Sequence, residues 1–355
     1  AYIAFAAFIL HPLSLLTAIA ALFVVTADMY ERRYRVVARR MNSKVFKPEA
    51  PAYGRERPEH QAADKRRTAH LDGHQDGNVV VYSGFSPFIG SGVELKRWSF
   101  AVDVTKVRDS RHEPLPASRI QPAEVHAHVM EAMKNLGLDG FTVVDRFYVS
   151  GRHVGQDQEL FFYPKSPQER FPRLRYMITD VAALEAKPTE LVRQYADIKV
   201  ASWQSELILS TFVRFSQTPP YLFVEANYFV LPPLKSYYYT INTFNRRPTP
   251  HELFRLVLDS AASTPLLWLK APIRVAKWMA RPVYRFRRMR RIRHAIEENV
   301  RFDYGATGSV RESGSDKEYA KYFQKMDIER SHKIIDRHLL ASLCEFLKGK
   351  GVDTT

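Results

Sequence analysis

The sequence predicts an α+β fold: an N-terminal transmembrane helix or hairpin, a mainly antiparallel sheet with flanking helices, and a C-terminal helical part. Three observations carry this. Residues 1–27 hold no Asp, Glu, Lys or Arg. Strand patterns then follow one another across gaps too short for parallel crossovers. From Pro250 onward the apolar residues recur at helical spacing instead. The organisation expected is 1–30 membrane segment, 31–77 basic juxtamembrane helix and linker, 78–248 α+β domain, 249–300 basic amphipathic helices, and 301–355 a loop and a long helix.

Taken in order, the apolar start is long enough for one tilted span, since a bilayer core of about 30 Å needs about 20 helical residues. His11-Pro12 interrupts it. Proline suits the first turn of a helix and disrupts the interior. The preferred reading is therefore a hairpin: the tail of one span, a turn at His11-Pro12, and a second span from Pro12 to about Tyr30. A single kinked span is the alternative. Arg32, Arg33, Arg35, Arg39, Arg40, Lys44 and Lys47 follow with no acid among them. By the positive-inside rule this collar puts the rest of the chain on the cytoplasmic side.

Residues 30–46 read as a helix leaving the membrane. Pro48, Pro51, Pro58 and the polar run to Gly77 read as a linker. It holds His70 and His74 without a further ligand cluster. Val79–Tyr82 is a short strand, and Gly84–Gly92 a turn-rich loop. Arg97–Val104 shows period-two alternation. Pro122–Leu136 is a helix opened by Pro122 and closed by Gly137. Thr142–Ser150 is a strand, and Thr189–Tyr195 a short helix. Ile198–Trp203, Glu206–Phe215 and Tyr221–Leu231 are strands joined by hairpin-sized gaps, the last apolar enough to be covered on both faces. Pro282 is expected to split the basic helical region in two. Ser315 to Glu318 reads as a capping box opening a helix to about Leu347.

The net charge is +15, but it is focused. The collar carries seven cations, and residues 274–293 carry nine more without an acid, so the rest of the chain is close to neutral. The lone cysteine, Cys344, excludes an intramolecular disulfide, which suits a reducing compartment. It sits in an apolar helical pattern and reads as a small buried hydrophobe.

Two stretches are candidate sites. In the loop, Gly84, Gly90 and Gly92 free the backbone to converge on an anion, and Ser86 and Ser91 add hydroxyl donors. It lacks the lysine of a P-loop, the spacing of a dinucleotide fingerprint and the last glycine of a nucleophile elbow. The plainer reading is a connection pinned by Phe85 and Phe88. The second stretch is membrane-facing: Arg32, Arg33, Arg35, Arg39 and Arg40 in the collar, then Trp268, Arg274, Lys277, Trp278, Arg281, Arg285, Arg287 and Arg288. Apolar residues there enter a bilayer interface while the arginines meet anionic headgroups. Its alternatives are phosphate contacts with nucleic acid, or an apolar stripe packed on the domain with solvated arginines.

Asp303, Glu312 and Asp316 read as members of an ion-pair network in a loop. His126 and His128, two apart on a helix, point to different faces. His332 and His338 read as solvated or helix-bonded. No metal, cofactor or catalytic signature appears.

The strings Val81–Gly92, Trp98–Phe100, Arg146–Arg152, Phe302–Gly305 and Tyr322–Asp327 resemble a family of uncharacterised bacterial membrane-anchored proteins. The resemblance implies a membrane region and a soluble domain, and no catalytic residues. The expectation is a membrane-tethered cytoplasmic docking, scaffold or sensor module at the inner (plasma) membrane. Its partners would be anionic headgroups and an unidentified protein, with nucleic acid least favoured. The alternatives are an enzyme or anion sensor built on the Gly84–Gly92 loop, and a nucleic-acid-binding membrane protein.

Overall fold

The computed structural model describes residues 12–41, 77–106, 120–162, 172–173, 175–185, 190–243, 248–298 and 301–352. In chain order the main elements are α1 (Pro12–Tyr30), a π-helical segment (Glu31–Met41), β1 (Val79–Tyr82) and β2 (Val93–Asp103). Then come α2 (Pro122–Lys134), β3 (Phe141–Ser150), β4 (Val192–Ser202), β5 (Leu207–Thr218) and β6 (Tyr221–Leu231). Last are α3 (Pro250–Glu298) and α4 (Tyr322–Gly349). The chain forms two compact units: Ala1–Pro58 with Ser236–Glu298, and Glu59–Lys235 with Asn299–Thr355.

The larger unit is built on one six-stranded sheet in the order β1-β3-β4-β5-β6-β2. The hairpin-linked strands β4, β5 and β6 pair antiparallel, as short gaps require; β3 with β4 and β2 with β6 also pair antiparallel, and β1 joins β3 in parallel. Period-two alternation gives the sheet two distinct faces. Ala196, Ile198, Leu209, Val213, Val224 and Tyr228 point to the side covered by α2 and α4. There Val125, Val129 and Met133 of α2 and Ile328, Ile335 and Leu339 of α4 complete the main core. On the opposite face Tyr148, Tyr195, Phe212 and Phe229 form an aromatic patch filled by Phe88.

Several expectations are corrected here. Thr189–Tyr195 is not a helix: Val192 starts β4, and Val192 to Val200 pair with β3, so strand pairing overrides the local start signal at Pro188. Strand β2 begins at Val93, four residues before the alternation becomes clean. The Ser315 capping box does not form. Ser315 lies just past the short helix Val310–Gly314, where its hydroxyl donates to the Arg311 carbonyl. Helix α4 begins seven residues later, with the Gln324 side chain accepting the Lys321 amide at 3.1 Å.

In the smaller unit α1 lies against the first turns of α3, with Leu256 buried between them. The Ser260 hydroxyl reaches Met29 Sδ at 3.4 Å. Among the described residues no helix is long and apolar enough to cross a membrane, so the expected transmembrane helix is not found there. Helix α1 is 19 residues, about 28 Å at 1.5 Å per residue, and its last turn carries Asp28. The hairpin expected before it falls on residues 1–11, which lie outside the described residues. So do the linker histidines His70 and His74. Pro282 does not split α3. The helix runs unbroken for 49 residues with Pro265, Pro272 and Pro282 inside.

Candidate functional site

Helix α3 is about 70 Å long at 1.5 Å per residue, and its surface sorts by residue type. Pro265, Pro272, Val275, Met279, Pro282, Phe286 and Met289 recur at spacings of seven, three and four, so they share one face. Lys270, Arg274, Lys277, Arg281, Arg285 and Arg288 form a second stripe at the same spacings. Beyond Arg287 the helix is basic nearly all round.

On the apolar face and at its edge, large side chains are exposed. Val275 is 54%, Met279 64%, Trp278 68% and Phe286 67% exposed. Burying such side chains is worth about 1.5–3 kcal/mol each, so a row of them left in water marks a surface that meets something. Arg274, Lys277, Arg281, Arg285, Arg287 and Arg288 are all exposed, and no ion pair to them is found among the described residues. Trp268 lies in the same helix, but its side chain lies outside the described residues.

The collar is less free. Arg32 pairs with Asp28 at 2.9 Å and Arg35 with Glu31 at 3.7 Å, each one helical turn apart. The Arg33 guanidinium stands 6.0 Å from the Tyr34 ring. Arg39 and Arg40 lie in the π-helical segment, and their side chains lie outside the described residues. Between α1, this segment and the start of α3 opens a cavity of about 600 Å³. Phe23, Leu253, Leu256 and Val257 give it apolar walls, and Glu31 and Arg35 stand at its polar end.

In the larger unit the Ser83–Gly92 loop lies on the face away from the helices. Phe88 stacks on Phe212 at 4.1 Å between ring centres and meets Tyr148, Tyr195 and Phe229 edge-on or tilted. Phe85, the other expected pin, is fully exposed. Gly84 and Ser86 are exposed, and Ser91 is buried. The Gly90 amide, which an anion would need, already donates to Glu312 Oε2 at 2.9 Å. At Gly92, φ is +89° and any Cβ would strike the Val230 carbonyl, so this glycine serves a close chain approach. Gly90 and Gly92 are spent on packing, Gly84 faces open space, and the Glu312 carboxylate occupies the Gly90 amide that an anion would need.

Three of the strings singled out in the sequence meet at one end of this sheet. Ser83 Oγ donates to Asp303 Oδ2 at 2.7 Å, and Arg152 lies 3.7 Å from the same oxygen. Gly305 N–H donates to Asp303 Oδ1 at 2.9 Å. A Cβ on Gly151 would strike Gly305 and Asp303, so the two backbones touch only because residue 151 has no side chain. Asp303 and Glu312 therefore pin the segment after residue 300 to the sheet. Asp316 accepts the Lys317 amide at 2.8 Å and takes no part in this junction.

Sequence reading missed a polar cluster on the same sheet face. Asp197 is only 2% exposed, and its Oδ2 receives Arg146 at 3.0 Å and Lys199 at 2.8 Å. Beside it the Tyr195 hydroxyl donates to Glu225, which also faces Arg214 at 3.9 Å. Burial pushes the Tyr195 and Tyr148 phenols well above their ordinary range, reinforced by Glu225 and Asp197 respectively. The signal in the sequence was the charged residues set inside apolar strands, Arg146 in β3, Asp197 and Lys199 in β4, Arg214 in β5 and Glu225 in β6.

Four of the described histidines lie on the helical side of the sheet. His126 meets Asp145 at 3.2 Å, His128 packs against Phe346, His332 against Tyr228, and His338 reaches the Ala132 carbonyl at 3.0 Å. Among the described residues no three His, Cys, Asp or Glu side chains gather as a metal site.

A family model described as the AbeC-like domain matches residues 97–355. The chain belongs to this family. The match begins inside β2 and runs through the rest of the sheet, α3 and α4, so the Ser83–Gly92 loop lies before it. No curated protein and no solved structure matches the chain.

Proposed function

We propose that this AbeC-like protein is a membrane-docking module. The smaller unit lies on the inner leaflet of the bacterial membrane, and the sheet unit is held on the cytoplasmic side to engage a protein partner. The observation that carries the reading is α3. A helix with an exposed apolar face beside a stripe of exposed arginines fits the boundary between headgroups and acyl chains. Each basic side chain near an anionic surface is worth about 1 kcal/mol. Helix α1 of the same unit also exposes apolar residues, among them Leu16, Ile19, Phe23 and Val24. The cationic excess of the collar favours the cytoplasmic leaflet.

Flotation with vesicles tests this. The whole chain is expected to float with phosphatidylglycerol vesicles, to float poorly with phosphatidylcholine vesicles, and to be released by salt as the charges are screened. Changing Arg281, Arg285 and Arg288 together to Glu should weaken anionic vesicle binding by about a hundredfold or more. Equal flotation with both vesicle types, indifferent to salt and to the three changes, contradicts the reading.

A further inference from the structure

The cavity between α1, the π-helical segment and α3 combines an apolar lining with charges of both signs. Here one acid and one base, Glu31 and Arg35, stand together at the polar end of an apolar groove. Their side chains are about two-thirds exposed, 63% and 64%, and 3.7 Å apart. An ion pair so exposed gains little from its own contact, so a ligand can part the two at small cost. The volume, about 600 Å³, lies within the range of small-molecule sites. Leu256, 2% exposed, forms the floor, while Leu253, Val257 and Phe23 line the sides.

We infer that this groove takes one zwitterionic aminophospholipid, with acyl chain against Phe23, Leu253, Leu256 and Val257, ammonium on Glu31 and phosphate on Arg35. An anionic lipid or a fatty acid satisfies Arg35 but sets a negative charge against Glu31. A neutral lipid uses neither. Only a headgroup carrying both signs matches both side chains, and an ammonium with N–H donors pairs better with a carboxylate than a quaternary one does. The inference rests on the reading of the smaller unit as a membrane-contacting module. It adds a specific lipid site to that unit's general attraction for anionic surfaces.

The two ideas fail separately. The probe is dihexanoylphosphatidylethanolamine below its micelle concentration, titrated into the whole chain in solution, so that no bilayer is needed. Saturable binding is expected, stronger than for dihexanoylphosphatidylglycerol. Glu31→Lys and Arg35→Glu should each weaken it about tenfold, the loss of one charge-assisted contact. The double exchange, Glu31→Arg with Arg35→Glu, should restore most of it, because the groove then still presents both signs. Val257→Trp, placed at the half-open wall, should block it. The Arg281, Arg285 and Arg288 changes should leave it intact while abolishing vesicle flotation. Equal affinity for the glycerol lipid, indifference to the single charge reversals, or failure of the double exchange to recover binding overturns the inference. None of these outcomes depends on whether α3 meets a bilayer.

Discussion

Asp336 shows how α4 is fixed to the sheet. Its Oδ1 accepts the Trp98 indole N–H at 2.8 Å and the Tyr228 hydroxyl at 2.7 Å, and Lys96 lies 3.8 Å from Oδ2. A carboxylate held by several donors ties two strands to a helix in one place. His332 lies one turn away, its ring edge-on to Tyr228 at 4.4 Å. Burial pushes the His332 imidazole below its ordinary value, Lys96 and Lys333 push the same way, and Asp336 pulls back. The folded chain therefore binds fewer protons at this site than the unfolded one. The stability from neutral His332 is complete above the ordinary histidine value, about pH 6.5, and is lost as pH falls through the lower folded value. Urea unfolding midpoints should decline on acidification from about pH 7.5 to about pH 5, and His332→Phe should flatten that decline. An unchanged slope in the variant would place the effect elsewhere.

At the scale of elements, Phe88 is the aromatic anchor of the loop Ser83–Gly92, beside the polar ties at Ser83 and Gly90. Phe88→Ala should cost about 3–5 kcal/mol, because the aromatic patch cannot close over the hole. The same change should make the loop sensitive to protease. Phe85→Ala, in solvent, should stay within about 0.5 kcal/mol of the parent chain. Matched effects of the two changes would refute the assignment. Both phenylalanines read alike in the sequence, since neither lies in a periodic run. Only the aromatic residues of four strands, brought together by pairing, choose between them. Where an element was periodic it was legible: β6 begins and ends where its apolar run does, and α2 starts at Pro122. Where a local start signal competed with tertiary contact it misled, at Pro188 and again at Ser315. The prolines of α3 misled in the opposite direction. A proline inside a helix costs about 3 kcal/mol, yet α3 carries three. In an exposed helix water can take the carbonyls they leave unbonded, and all three share the apolar face. The cluster around Asp197 stayed hidden for another reason: period two puts Asp197 and Lys199 on one face, but only the β3–β4 register brings Arg146 to them.

For the whole molecule, charge is the organising quantity. A net +15 spread evenly would say little, but sixteen cations in two short stretches exceed it. Both stretches lead into one compact unit, formed by the start of the chain and residues 236–298. The sheet unit uses its own charges internally, in the Asp197, Glu225, Asp303 and Asp336 contacts. The sheet unit thus ties these carboxylates into its fold, while the other unit leaves cations and apolar side chains exposed together. The proposed docking follows from that difference, and the orientation of α3 is its sharpest consequence. With Cys344 changed to Ala, single cysteines at positions 279 and 281 carry spin labels on nearly opposite sides of the helix, at about 100° per residue. On adding phosphatidylglycerol vesicles, the label at 279 should become accessible to apolar oxygen while the label at 281 stays accessible to an aqueous relaxant. Equal accessibility at the two positions, or no change at 279, would contradict the account.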